Sequence, residues 1–245
     1  MFRPRTITIL AFGLLALFQS PMLVAQPPTR KPVPLFNGQN FSGWYKYSGD
    51  KKVNAEDLIV MHPFEKYIII KGTSPGYLMT DKKYSNYELN FEWRWALDQE
   101  GVKRDPAVAP ARKSGVLFHI AGEGDLIWPK SIEAVLDFNR AGDLFLVRGF
   151  KMSLKPERID RSNNRHFLRS HDGIEKALGE WNQGTIICHD KFVSIKVNDA
   201  MMMAGRGAEF ISGRIALQSE AGEIHFRNIT MRPLEGKAVD PEQEE

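Results

Sequence analysis

A single cysteine, Cys188, stands in 245 residues, so no internal disulfide staples the chain and its stability has to come from a hydrophobic core. Cys188 falls in the apolar run 185–188, where a thiol reads as a small buried hydrophobe rather than a nucleophile. An excess of one charge is also lacking. The 33 Lys and Arg against 30 Asp and Glu leave a formal +3, which gives no electrostatic footprint for nucleic acid. The six histidines, His62, His119, His166, His171, His189 and His225, show no close ligand spacing. No obligatory metal and no other cofactor is therefore expected. Sustained helical periodicity is missing as well, which excludes bundles and doubly wound α/β folds.

Long apolar stretches are scarce. The run at residues 7–18 follows Arg3 and Arg5 and precedes Leu23-Val24-Ala25, the pattern of a cleaved secretory signal peptide and short for a membrane span of roughly 20 residues. Residues 1–25 are expected to be removed, which takes Arg3 and Arg5 away, lowers the formal charge from +3 to +1 and leaves no stable membrane insertion. Export without disulfides and without a lipobox cysteine suits the bacterial periplasm or secretion. Residues 26–34 hold four prolines and read as an extended linker. A single domain at 35–234 and a frayed acidic tail at 235–245 complete the organisation.

What the chain has in abundance is two-residue alternation. In 87–95, Tyr87, Leu89, Phe91, Trp93 and Trp95 alternate with Glu88, Asn90, Glu92 and Arg94, giving one apolar and one polar face. In 114–121, Val116, Phe118 and Ile120 share one face, with Gly115, Leu117 and His119 on the other. More than ten such short segments, separated by Gly, Asn and Asp turns such as Asn198-Asp199, imply an all-β, two-sheet antiparallel sandwich of jelly-roll or legume-lectin size. Its polar-faced strands suggest a curved sheet with a concave polar face. Residues 149–178 break the pattern and read as a long functional loop or lid, and 98–113 as a charged loop at the rim of a site.

Residues 131–138 concentrate the chemistry. Ile132, Ala134, Leu136 and Phe138 form an apolar face, while Ser131, Glu133, Val135 and Asp137 form the other. Two carboxylates there are costly unless solvated or used. Glu133, on a regular strand with the Trp128 ring nearby, is the first candidate for a base or general acid. His119, titrating near neutrality, is the second. Glu92, Arg94, Trp128, Gln218 and Glu220 are candidate substrate-binding residues, with ordinary surface ion pairing as the competing role for the charged ones. Asp137 lies roughly 13 Å from Glu133 along a straight strand. That is too far for two carboxyl groups to act as a close pair, so a partner carboxylate is expected from another strand, from Glu92 or Glu220.

A set of motifs in order carries a family resemblance: Leu35-Phe36-Asn37-Gly38 with Ser42-Gly43-Trp44, Gly76 to Thr80, Tyr87-Glu88-Leu89 with Glu92-Trp93-Arg94, Ser114-Gly115-Val116, Trp128 to Glu133, Gly179 to Asn182 and Leu217 to Glu220. Together they resemble the 3-keto-disaccharide hydrolase family. The resemblance implies a concanavalin A-like sandwich acting on a small carbohydrate oxidised at sugar carbon 3, that is, a glycoside hydrolase cleaving 3-keto-glycosides by acid/base chemistry. It also implies an exported protein of a carbohydrate-degrading bacterium. The chain departs from the family pattern at Lys113, at Asn198-Asp199 and at Val135, where the family usually has Gln. Val135 keeps a second reading open, a non-catalytic carbohydrate-binding module on the same sandwich. A purely structural domain is the third.

Overall fold

Alternation of apolar and polar residues becomes, in the computed structural model, a pair of stacked sheets. The structure describes residues 30–97, 111–122 and 125–235. Its strands are β1 (Val33–Pro34), β2 (Trp44–Ser48), β3 (Ile59–Met61), β4 (Ile68–Ile70), β5 (Gly76–Thr80), β6 (Tyr84–Ser85), β7 (Tyr87–Trp95), β8 (Gly115–Ile120) and β9 (Ser131–Val135). They continue as β10 (Leu144–Val147), β11 (Ile159–Asp160), β12 (Asn163–Phe167), β13 (Asn182–His189), β14 (Phe192–Val197), β15 (Ala200–Gly205), β16 (Ser212–Ser219) and β17 (Ile224–Pro233). One four-residue helix, Ala55–Leu58, escapes the sequence reading. It is capped by the Asn54 side chain, which accepts from the Glu56 N–H.

One sheet has eight strands, in the order β15-β14-β13-β7-β17-β4-β3 with β1 on β17. The other has nine, in the order β11-β12-β10-β9-β8-β16-β5-β2 with β6 on β16. Every pairing is antiparallel. Trp93, Leu89 and Phe91 of β7 face Ile132 and Ala134 of β9 and Phe118 of β8 across one core, so the apolar faces of the two sheets are buried against each other. The fold is the concanavalin-like β-sandwich. Asn198 and Asp199 take φ of 46° and 68°, the double positive φ of a tight hairpin turn, and join β14 to β15.

Two expectations about segments change. Val33 and Pro34 pair with Met231 and Thr230, so sheet structure begins inside the proline-rich segment, two residues before Leu35. Pro34 is tolerable there because β1 is a two-residue edge strand. Residues 149–178 are not a lid: β11 and β12 arise within them and extend the nine-stranded sheet through β10. The signal segment, most of the 98–113 loop and the tail beyond Glu235 lie outside the described residues. Among those described, no helix is long and apolar enough to cross a membrane.

Candidate functional site

Cross-strand register sets which side chains meet on the outer face of the nine-stranded sheet. Phe145 pairs with Glu133, Glu133 with Leu117, Leu117 with Ala216, Ala216 with Met79, and Met79 with Tyr45. These six residues make one row on that face. A neighbouring row runs through Gln218, Tyr77 and Tyr47. Over the β12, β10 and β9 side of the face lies a groove of about 520 Å³, within the range of small-molecule sites. Its floor carries Glu133, Asp137, Gln218 and Glu220. Trp128 and Phe145 supply aromatic wall, and Lys113, Arg140, Arg148 and Arg165 are the cations around it.

The dipeptide Ser114-Gly115 holds the acidic cluster together. The Ser114 N–H donates to Asp137 Oδ1 at 3.2 Å and its hydroxyl donates to the Gln218 carbonyl at 2.8 Å. A Cβ on Gly115 would lie 2.7 Å from Glu133 Oε1 and 2.9 Å from Gln218 Oε1. Glycine at this position is thus a matter of space: the Glu133 and Gln218 side chains fold over it from the strands on either side. Gln218 Nε2 donates to Glu220 Oε2 at 3.0 Å. Its Oε1 is buried without a hydrogen-bond partner among the described residues, an acceptor left for a ligand hydroxyl.

Packing three carboxyl groups into this space changes their acidity. Burial, reinforced by the charges of Asp137 and Glu220 and only partly offset by Lys113, pushes Glu133 from 4.5 up to about 8. Burial and the Glu220 charge raise Asp137 from 3.8 to about 6, against Lys113, the Ser114 N–H and Arg140. Near neutral pH the first carries its proton and the second has largely lost it. At one end of the groove, His166 bridges Asp143 (Nε2 to Oδ2, 2.9 Å) and Asp160 (Nδ1 to Oδ2, 3.1 Å). Asp143 is fully buried. Burial works against its charge, but the hydrogen bonds from His166 and Arg169 prevail and hold it below the usual carboxylate range. His166 is raised in turn, chiefly by Asp143. Both imidazole nitrogens are engaged by carboxylates, so this histidine braces the groove wall.

Four of the seven residues singled out from sequence, Glu133, Trp128, Gln218 and Glu220, line the groove. Three do not. Glu92 and Arg94 sit on β7, in the other sheet, on the outer face away from the groove. There Glu92 accepts from Arg227 at 2.7 Å and from Asn228 at 2.8 Å. Arg94 donates to His225 Nδ1 at 3.1 Å and stacks over Trp181, its guanidinium 4.5 Å from the ring centroid. Their alternation along β7 holds, but it belongs to the opposite side of the sandwich.

His119 fails for a different reason. It adopts φ of 50° at a bulge where the pairing of β16 shifts between Arg214↔Ile120 and Ala216↔Leu117. The extra residue reverses the alternation. Ile120 moves outward to join Leu117, while His119 turns into the inter-sheet core, edge-on to Tyr87 at 6.2 Å. Gly213 permits this, since a Cβ there would lie 2.4 Å from the His119 carbonyl carbon. Burial drives His119 down to about 4, with the Phe210 backbone opposing, so it is a neutral core residue.

Asp137, set aside on a straight-strand distance, belongs to the site. Beyond Val135 the chain keeps its register beside the residues before β8, the Leu136 N–H donating to the Ser114 carbonyl and the Phe138 N–H to the Arg112 carbonyl, so Asp137 stays on the Glu133 face and accepts from the Ser114 N–H, beside the glycine that Glu133 covers. Phe145, Asn163, Arg165 and His166 were missed. Phe145 and Val147 alternate with Leu144 and Leu146 in a wholly apolar strand, where no polarity marks the outer face. Cys188 is buried and its thiol is pushed up to about 12, as a small core hydrophobe should be. No group of three or more His, Cys, Asp or Glu positioned to hold a metal occurs among the described residues.

A two-sheet antiparallel sandwich with an aromatic-walled, carboxylate-floored groove on one outer face has the lectin and glucanase architecture. The chain belongs to the 3-keto-alpha-glucoside-1,2-lyase-like domain family, whose model matches residues 31–232. Its fold is shared by two Parabacteroides distasonis proteins with a provisional glycosyl hydrolase assignment. These are 18% and 19% identical, with TM-scores of 0.53 and 0.54, covering 82% and 84% of this chain and 93% and 100% of theirs. A Bacillus licheniformis beta-glucanase, 12% identical with a TM-score of 0.51, covers 85% of this chain and 100% of its own. No curated protein matches the chain.

Proposed function

We propose that the protein cleaves 3-keto-glycosides in the groove over Glu133, by elimination across sugar carbons 1 and 2. The ketone at carbon 3 acidifies the hydrogen on carbon 2. Asp137, the carboxylate ionised near neutrality, takes that proton, and the electron pair moves into an enolate over carbon 2, carbon 3 and the ketone oxygen. Collapse of the enolate breaks the bond from carbon 1 to the glycosidic oxygen, which leaves as the alcohol with the proton of Glu133. Lys113 and Arg140 offer positive charge for the enolate. Water then adds to the unsaturated ketone where the outcome is net hydrolysis. The Gln218 Oε1 acceptor and the Trp128 ring orient the sugar.

The observation that carries this reading is the placing of two carboxyl groups in one groove, Glu133 folded over Gly115 and Asp137 held by the Ser114 N–H, with burial raising the first further than the second. That difference assigns one base and one acid. The test is to incubate purified protein with methyl 3-keto-α-glucoside and with its unoxidised parent, following release of methanol and appearance of the conjugated ketone. Cleavage of the oxidised substrate alone is expected. Intact 3-keto-glycoside, or equal cleavage of both compounds, sinks the proposal.

Val135 supports one competing reading. It lines the groove as an apolar side chain where the family usually has an amide, which suits a site that binds sugar without turning it over. Calorimetry decides between them: binding that survives Glu133→Gln, with no turnover in either form, identifies a binding module. Export to the periplasm or beyond is part of the same proposal and rests on the pattern of residues 1–25. Its test is N-terminal sequencing of the protein recovered from a bacterial host, with a start at Gln26 expected.

A further inference from the structure

Charge is divided unevenly along the groove. The Asp137 and Glu220 carboxylates share one end with Arg140 and with Lys113, whose Nζ lies 3.9 Å from Glu220 Oε1. Val147 pairs with Ser131 where Phe145 pairs with Glu133, so the Val147 row lies two residues, roughly 7 Å, beyond Glu133 on the side away from Asp137. Trp128, Arg148 and Arg165 line the groove at that other end. Both arginines are exposed, and no carboxylate pairs with either among the described residues. Arg148 stands in the turn 147–150, closed by the Phe150 N–H donating to the Val147 carbonyl at 3.2 Å. Arg148 and Gly149 take φ of 49° and 68°, left-handed positions where Asn and Gly are the usual residues and a long side chain is costly. Alternation would send Arg148 inward, since Val147 before it faces the groove. The turn brings it back instead, and its Nε donates to the Trp128 carbonyl. Arg165 lays its guanidinium over the Phe145 ring, 5.3 Å from the centroid, which fixes its plane and leaves its N–H edge open.

We propose that Arg148 and Arg165 form an anion subsite, which selects sugars bearing a carboxylate, sulfate or phosphate group at carbon 6. The proposal rests on the functional reading above and extends it to substrate choice. With carbon 2 over Asp137 and the glycosidic oxygen at Glu133, carbon 5 lies across the ring from carbon 2 and carries carbon 6 away from Asp137, toward the Trp128 end. A guanidinium presents a planar pair of N–H donors that matches two oxygens of such an anion. The hydroxymethyl group of a neutral hexose offers one oxygen and no charge. The balance of charge favours the anion too. While Glu133 holds its proton, four cations of the lining face two ionised carboxylates, and because those two sit with Lys113 and Arg140, the positive excess falls at Arg148 and Arg165. An arginine kept only for solubility would not need a left-handed turn position that asparagine fills at lower cost.

Calorimetry at neutral pH with unoxidised glycosides reads the subsite without turnover. Methyl α-glucuronide, methyl α-glucoside 6-sulfate and methyl α-glucoside 6-phosphate are each compared with methyl α-glucoside. Wild type is expected to bind at least one of the anions about a hundredfold more tightly than the neutral glycoside, about tenfold from each arginine, with the preference shrinking as salt is raised. The tightest of the three identifies the group. Arg148→Asn removes the guanidinium and suits the turn, because asparagine accepts a positive φ, and Arg165→Gln removes the second. Each should lower the preference about tenfold, and the double variant should abolish it. Equal affinity for neutral and anionic glycosides in wild type, or a preference that survives in the double variant, overturns the subsite. The catalytic reading is judged apart from this, since none of these glycosides is oxidised: cleavage of methyl 3-keto-α-glucoside by a protein with no anion preference would sink the subsite alone, and an anion preference without any cleavage would sustain it.

Discussion

Replacing Glu133 by Gln should make the protein more stable as it makes it inactive. In the folded chain Glu133 holds its proton up to about 8, against an ordinary value of 4.5. The folded state therefore binds more protons than the unfolded state between those values, and stability falls as pH rises through that window. Below about 4.5 the carboxyl is neutral in both states and costs nothing. Above about 8 the full cost of an ionised carboxylate beside Asp137 and Glu220 is present. Three and a half pH units at about 1.36 kcal/mol each set a ceiling of roughly 5 kcal/mol, reduced by whatever water the groove admits. More than half of this falls between about pH 6 and 8, above the range in which Asp137, raised to about 6, adds a slope of the same sign. Glutamine has nearly the same shape and no charge to desolvate. Thermal melts from about pH 5 to 9 should show wild type losing stability across the upper part of that range while Glu133→Gln stays level, the gap at about pH 9 amounting to several degrees at about 2 to 4 °C per kcal/mol. A variant whose melting temperature tracks wild type at every pH would show that Glu133 is not held protonated, and the assignment of the acid would fall with it.

The same two groups set the pH dependence of turnover. The base must be ionised and the acid protonated, so kcat/KM for a 3-keto-glycoside should rise through about 6 and fall through about 8, with Asp137→Asn losing the acidic limb together with most of the rate. In Gly115→Ala, the new methyl 2.7 Å from Glu133 Oε1 should displace that carboxyl and the Gln218 amide. A displacement near 1 Å costs on the order of a hundredfold in rate, while overpacking of about 1 to 3 kcal/mol is partly offset by the lower entropy cost of alanine in a strand; a rate within threefold of wild type would show that the carboxyl does not rest over Gly115. Glu92→Gln should leave turnover unchanged and cost no more than about 1 kcal/mol in a denaturant melt, because its ion pair with Arg227 lies on the far sheet. His166→Ala should cost about 3 to 5 kcal/mol by stripping a buried carboxylate, Asp143, of one partner. Since His166 is raised by Asp143, that stabilisation in wild type is whole below the unfolded value and is lost as pH rises through the folded one.

Fold class was legible because it depends on a property each strand carries alone. Tyr87, Leu89, Phe91, Trp93 and Trp95 must be buried together whatever lies opposite, and one apolar face per strand is enough to demand a sandwich. The placement of Glu92 and Arg94 was not legible, because alternation fixes a face of a strand and not which sheet the strand joins. β7 pairs with β13 and β17, partners about 90 to 140 residues away in sequence, and nothing local to residues 87–95 encodes that choice.

His119 and Asp137 show a second kind of limit, the one misplaced by alternation and the other by a distance. At His119 one inserted residue at the bulge moves a polar side chain from the groove face into the core. At Asp137 the register simply continues past Val135, and a backbone separation along the strand does not keep two side chains of one face out of the same groove. Both residues lie on or just beyond strands that build the floor, and both have a glycine close by: Gly213 makes room for the bulge, and Gly115 makes room for the acidic pair. That pattern follows from the requirement of the site. Three carboxyl groups on regular neighbouring strands would be spaced by the strand repeat and solvated separately, with ordinary acidities. To raise one further than the other they must crowd, and crowding on a sheet requires a side chain to be absent and a neighbouring backbone N–H to hold a carboxylate in place. The weak-looking motif Ser114-Gly115 is where both conditions are met, since the serine ties Asp137 to the sheet while the glycine leaves the space that Glu133 and Gln218 share.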